Sequence, residues 1–134
     1  MYIFIETTEK IKISVVPKFL GSKEYAKQDR YIWEYTVTIE NNSNRTVQLI
    51  SRRWNVINST GIVQDIQGEG VIGKQPILKP TEAFEYTSQV ILPSDNGIMV
   101  GHYIMKDLHN NQDFEVKIPT FSLDQGVGSC ATMN

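Results

Sequence analysis

The chain offers few side chains equipped for chemistry, and their spacing sorts most of them. The most conspicuous group is Gly68-Glu69-Gly70-Val71-Ile72-Gly73, a literal G-x-G-x-x-G run followed by Lys74. In dinucleotide-binding folds such glycines let a turn meet a pyrophosphate at the start of a helix. Here Pro76 and Pro80 follow closely and deny the segment a regular helix. The sequence also lacks the alternating strands and helices that a dinucleotide-binding unit requires. Two readings stay open for this run. It is a bulged structural loop, or its backbone N–H groups form a concavity that binds phosphate, pyrophosphate or nucleotide without any helix. In the second case Lys74, Arg52 and Arg53 assist.

Arg52-Arg53-Trp54 is the second group. Two guanidinium groups beside an indole can hold an anion or pack at a protein interface. Strand alternation turns at least one arginine outward. The plainer reading has one arginine bonding to loop carbonyls while Trp54 fills the core. Nucleic acid would want more basic residues and exposed stacking aromatics than this chain has, so it is not an expected partner.

His102 and His109 are the only histidines, and Asp107 and Asp113 lie nearby. Seven residues of extended chain separate the two imidazoles by about 23 Å and place them on opposite faces, so they cannot share one ion unless the chain folds back sharply. His102 and Asp107 are the weakest of the candidates, and neither a metal nor another cofactor is expected. No serine sits in a G-x-S-x-G setting, the lone Cys130 falls in the small, polar C-terminal stretch, and the carboxylates are scattered. A nucleophile with its base is therefore missing, and the expected role is non-enzymatic.

Binding residues need elements to position them, and the totals allow one domain. The 134 residues include 40% hydrophobic and 21% charged side chains, inside the globular range. A net charge of -2 supplies no field that would draw the chain to nucleic acid or an anionic membrane. The start, Met1-Tyr2-Ile3-Phe4-Ile5-Glu6, lacks the features of a signal peptide, and every apolar run is too short to span a bilayer. A single cysteine agrees with a reducing compartment. The expected location is the cytoplasm, away from membranes.

Period-two alternation marks the strands. From Ile32 to Glu40, Trp33, Tyr35, Val37 and Ile39 alternate with polar residues. Asn41-Asn42-Ser43-Asn44 then reads as a hairpin turn. In Thr46 to Asn58, Val47 and Leu49 share one parity while Trp54 and Val56 share the other, so a β-bulge near Ser51-Arg52-Arg53 is predicted. A turn at Asn58-Ser59-Thr60-Gly61 leads to a short strand over Ile62 to Gln67. Phe84, Tyr86, Ser88, Val90 and Leu92 share one parity in Ala83 to Leu92. Ile98 to Met105 is apolar on both parities, as in a central strand covered on both faces. Phe114, Val116 and Ile118 alternate before Pro119. Ile11, Ile13 and Val15 give a first strand, stopped by Pro17, and Gly21 to Asp29 reads as a loop. The stretch 124–134 reads as a flexible tail to a domain over 1–123. About seven short strands without helical periodicity predict an all-β, immunoglobulin-like antiparallel sandwich. Its unpaired edges leave a monomer or an edge-paired dimer open.

The stretches Tyr35-Thr36-Val37-Thr38-Ile39, Gln67 to Pro76, Glu85-Tyr86-Thr87-Ser88, Gly97 to Tyr103 and Ile118-Pro119-Thr120-Phe121 resemble, in order and spacing, those of ApaG proteins. The resemblance runs from about Ile11 to Leu123. It implies a fibronectin type III-like sandwich in a small bacterial cytoplasmic protein whose biochemical role is poorly defined. It also implies an interaction role, because related domains are attached to eukaryotic F-box and polymerase-interacting proteins, and a loose link with cobalt and magnesium homeostasis without a direct metal site. Two departures stand out. Pro80-Thr81-Glu82 replaces the Pro-Gly-Glu of relatives, and a β-branched Thr81 predicts a type I turn. Gln89 stands where relatives tend to have Gly. The expected partner is another protein, with a phosphate-containing small molecule at the Gly68, Glu69, Gly70, Gly73 and Lys74 loop as the rival.

Overall fold

The computed structural model describes residues 2–124, apart from the side chains of Ile62 and Val63. The expected tail lies outside the described residues, except that Asp124 closes the last strand. Among the described residues nine strands run in chain order: β1 (Phe4–Thr8), β2 (Ile11–Tyr25), β3 (Gln28–Asn41), β4 (Val47–Asn58), β5 (Gly61–Glu69), β6 (Ile77–Leu78), β7 (Ala83–Leu92), β8 (Asn96–Asp107) and β9 (Gln112–Asp124). Every pairing is antiparallel. One sheet has the order β1-β2-β3-β7; the other has β5-β4-β8-β9, with β6 also on β4. The predicted sandwich is therefore present, with β1 and the two-residue β6 added to the seven strands read from the sequence.

Alternation fills the space between the sheets. Trp33, Tyr35, Val37 and Ile39 of β3 are buried, as are Ile11, Ile13 and Val15 of β2 and Tyr103 and Met105 of β8. Each large aliphatic side chain so buried contributes roughly 1.5–3 kcal/mol. Trp54 occupies the centre, its ring 5.6 Å from that of Tyr35 and edge-on to Tyr103 and Phe121 at 6.4 and 5.7 Å. The predicted bulge is real: the register of β4 on β8 shifts between Leu49 and Ser51. Val47, Leu49, Trp54 and Val56 consequently all face the same core.

Several expectations need correction. Pro17 does not stop β2, because β1 pairs only as far as Val15. Beyond that point β2 has a free side on which a missing N–H costs nothing. Gly21 to Asp29 is not a loop; β2 and β3 continue as one long hairpin to the two-residue turn at Ala26 and Lys27, both at positive φ. Pro119 likewise sits inside β9, where the ladder with β8 shifts register between Met99 and Gly101. The outer face of β8 is not covered, since Ile98 and Val100 are exposed.

Asn41-Asn42-Ser43-Asn44 is not a hairpin turn, because β3 and β4 lie in different sheets. Asn41 shows why the chain crosses there. Its side chain, fully buried, donates to the carbonyls of Arg45 at 2.7 Å and Leu78 at 2.9 Å and accepts from the Ser43 N–H and hydroxyl. Its backbone N–H donates to Glu82 and its carbonyl accepts from Thr81. One asparagine thus ties the end of β3 to the approach of β4, to β6 and to the turn before β7. That last tie also overrides the type I turn expected at Pro80-Thr81. Thr81 takes φ 75 and Glu82 N–H reaches Lys79 O at 3.0 Å, a type II arrangement.

Replacing Asn41 by alanine strands buried carbonyls of two segments, so Asn41→Ala is expected to lower stability by about 3 kcal/mol. Urea unfolding should show a lower midpoint with an unchanged slope; a loss within the error of the fit would refute the hub.

Candidate functional site

The glycine run begins on β5 and ends in a tight reversal. Val71 and Lys74 exchange both backbone hydrogen bonds, at 2.8 and 2.9 Å. The two residues between them, Ile72 and Gly73, have φ 45 and 75, the geometry of a type I′ turn. Gly70 is compulsory. It has φ 63, and a Cβ there would collide with the Lys74 carbonyl. Ile72 is the anomaly, since a β-branched residue rarely accepts this conformation, and its side chain stands 51% exposed at the tip. Val71 beside it is fully buried, so the turn is anchored at one residue and presents the next.

The β4 bulge reaches directly into this loop. Ile50 contributes its carbonyl, which accepts from Gly70 N–H at 2.8 Å and from the Gln75 side-chain amide at 2.9 Å. Arg52, in register with Gly68, bonds through Nη1 to the Gly70 carbonyl at 2.7 Å and to the Glu69 carbonyl at 3.4 Å. A Cβ on Gly68 would come within 2.9 Å of that same Nη1. The structure therefore brings Gly68, Glu69, Gly70 and Arg52 together. Lys74 and Gly73 belong to the exposed turn beyond them. Arg53 points elsewhere and pairs with Asp65 at 3.4 Å. The amides of Gly70, Val71 and Lys74 are all consumed inside the protein, which leaves them no lone direction toward an anion. Near Arg53, Gln67, Gly68 and His102 the surface is an open depression of about 460 Å³, unlike the enclosing cleft of a small-molecule site.

Beneath Arg52 lies a group that the sequence did not single out. Tyr86 and Tyr103 join hydroxyl to hydroxyl at 2.5 Å across the two sheets, and Tyr35 bonds to Ser88. Burial pushes all three phenols above their ordinary range, and the Arg52 charge only partly offsets this. They stay neutral at physiological pH and act as fixed dipoles rather than as acids or bases. The signal was available in the shared inward parity of Tyr35 and Tyr86 with the core residues of their strands.

The weak metal candidates do not converge. The His102 imidazole lies 3.6 Å from Glu115, beside the outward Arg53. Asp107 faces the other way, its carboxylate accepting from the His109 N–H at 2.8 Å and from Arg45 at 3.1 Å. His109 and Asp113 are exposed. Among the described residues no three His, Cys, Asp or Glu side chains gather as a metal site. Arg45 instead organises this corner, pairing also with Glu9 at 3.4 Å and lying 4.8 Å from the Phe114 ring centre. The His109 N–H and then Arg45 hold the Asp107 carboxyl below its usual range, against the opposing effect of burial.

Two outcomes are expected. Gly70→Ala should destabilise by about 2 kcal/mol or more, through the positive φ and the clash together; thermal unfolding measures it. Because Asp107 has a depressed pKa in the fold, its contribution is complete above the ordinary value near 3.8 and is lost as pH falls through the folded value. Stability measured from neutral pH downward should drop less steeply below that point in Asp107→Asn than in the parent.

Comparison with known proteins agrees with this architecture. A family model described as the ApaG domain matches residues 21–107. A protein named ApaG from Rhodospirillum centenum is 45% identical over 125 residues, covering 93% of this chain and 95% of its own. One from Brucella abortus is 44% identical over 117 residues, covering 87% and 89%. Among solved structures, the putative ApaA protein of Bordetella pertussis superposes with a TM-score of 0.77 at 38% identity, covering 90% of this chain and 94% of its own. An X-ray structure of a structural genomics target gives 0.80 at 30% identity, covering 86% of each chain. Sequence and fold agree along nearly the whole length, and the chain belongs to the ApaG family.

Proposed function

We propose that this protein is a non-enzymatic interaction module that docks another protein through the turn at Val71 to Lys74, with Arg52 and the β4 bulge as its support. The observation that carries the reading is Ile72, an exposed aliphatic side chain held in a strained conformation at the tip of a loop whose own hydrogen bonds are internally closed. An apolar residue kept at such a cost, on a rigid rather than a pliable base, suits insertion into a partner's apolar pocket. Lys74 at the end of the turn adds charge to its rim. The rival small-ligand reading has less to work with: the amides of Gly70, Val71 and Lys74 are bonded within the protein, and Arg52 spends its best donor on Gly70 O.

Asn-Gly is the preferred pair for a type I′ turn, so Ile72→Asn should raise stability by about 1 kcal/mol while removing the docking side chain. A photo-crosslinking residue at 72 should give one discrete protein adduct in cells, absent when the same residue replaces exposed Lys10. In parallel, titration of isotope-labelled protein with phosphate, pyrophosphate and ATP should leave the amides of Gly68 to Lys74 unmoved. Saturable shifts of those amides without a protein adduct would overturn the interaction reading in favour of an anionic ligand.

A further inference from the structure

The free side of β7 carries an inference that uses none of the loop residues. In an antiparallel ladder, successive residues turn their N–H and C=O groups to opposite sides of the strand. Asn41 N–H bonds to Glu82 O at 2.9 Å and Asn41 O accepts from Thr81 N–H at 2.8 Å, so the odd-numbered residues of β3 face β7. The bonded pairs are then Ile39 with Phe84, Val37 with Tyr86 and Tyr35 with Ser88. From the other side, the Gln64 side-chain amide reaches Ile91 O at 2.7 Å. Both observations place the N–H and C=O of Glu85, Thr87 and Gln89 on the open edge of the sheet.

Edge strands are normally blunted by charged side chains, lysine above all, by proline or by a bulge. β7 has no lysine, proline or bulge, its one charge is Glu85, whose carboxylate accepts from the Thr38 hydroxyl of β3, and its ladder with β3 continues without a register break from Ala83 to Leu92. The other edges are managed, and the free side of β2 beyond Val15 carries Pro17, Lys18 and Lys23. Lys117 N–H, on the outer side of β9, donates to the Thr8 hydroxyl at 3.2 Å, and β1 packs against that strand. β5 holds Gly61 and Gly68 and breaks register on β4.

We infer that β7 is a homodimer interface, in which two copies pair β7 against β7 about a two-fold axis through Thr87. Side-chain chemistry selects this register. An axis at Glu85 would oppose two carboxylates, which is destabilising. An axis toward Ile91 would meet a carbonyl already used by Gln64. The axis at Thr87 engages all three free residues, sets Glu85 opposite the partner's Gln89 as a carboxylate-amide pair, and sets bulky Tyr86 opposite the partner's small Ser88. The resulting contact is isologous and closes on itself, so it gives a dimer rather than a fibre.

The test uses the full chain. Sedimentation equilibrium from micromolar to millimolar protein should show a monomer-dimer equilibrium. Amide exchange at Glu85, Thr87 and Gln89 should slow with concentration, while Phe84, Tyr86 and Ser88 stay protected throughout and report an intact fold. Directly paired, hydrogen-bonded residues sit about 5.5 Å apart at Cα, within disulfide range. In a Cys130→Ser background, Thr87→Cys should therefore form a self-disulfide in a glutathione redox buffer, and Glu85→Cys should not. A monomer at every concentration, exchange at the three amides that ignores concentration, or equal cross-linking by the two cysteine variants would each overturn the inference.

Discussion

One extra residue in β4 governs most of what is specific about this molecule. Without the bulge at Ile50, a period-two strand would bury either Val47 and Leu49 or Trp54 and Val56, and the sandwich would lose half a central strand of core. With it, both pairs point inward, and two further consequences follow from the same backbone event. The Ile50 carbonyl is freed from the ladder with β8 and takes up Gly70 and Gln75 instead. Arg52 comes onto the parity of Trp54 and lies across Gly68. The core requirement and the shape of the glycine loop are thus set by one insertion, and a change that removed the bulge would disturb both.

Arg52 illustrates how charge is handled where the two sheets part. No carboxylate among the described residues pairs with it, and the groups beside it are phenols that burial keeps neutral. A guanidinium in such surroundings is stabilised by carbonyl dipoles, and the nearest ones belong to Glu69 and Gly70. Both bonds come from the one nitrogen Nη1, which lies between the two successive carbonyls and closer to that of Gly70. The arginine is therefore better described as a clasp on the loop than as a free cation waiting for an anion, the plainer of the two roles its sequence position allowed.

The core strands were legible because their signal is local and periodic. The conflict of parity in β4 even placed the bulge within a residue or two of its true position. Sheet membership was not legible. Asn41-Asn42-Ser43-Asn44 has the composition of a hairpin turn, yet the side-chain bonds of Asn41 reach Leu78, a partner 37 residues away, and only the folded chain reveals that. Turn chemistry misled in the opposite sense at the first two hairpins. Glu9-Lys10 and Ala26-Lys27 take paired positive φ values, a geometry that Asn and Gly usually announce. Unbroken pairing on both sides, five pairs at the first turn and a long ladder at the second, imposes the geometry regardless of the turn residues, so β1 and the far half of β2 gave no warning of themselves.

Among the described residues two β-branched ones sit in the left-handed region, and the contrast between them is informative. Thr81 has φ 75, but its N–H is bonded to Asn41 O and its neighbour Glu82 holds Lys79 twice, through backbone and carboxylate. The surrounding structure over-determines that turn, and its strain is a by-product of joining β6 to β7. Ile72 has φ 45 with only the Val71 to Lys74 pair to hold it, and a smaller or more polar residue would satisfy the same geometry with less strain. Strain that the local network demands is structural. At Ile72 the strain serves no further bond and the side chain is left in solvent, and that asymmetry is what the proposed docking role rests on, rather than any glycine of the run.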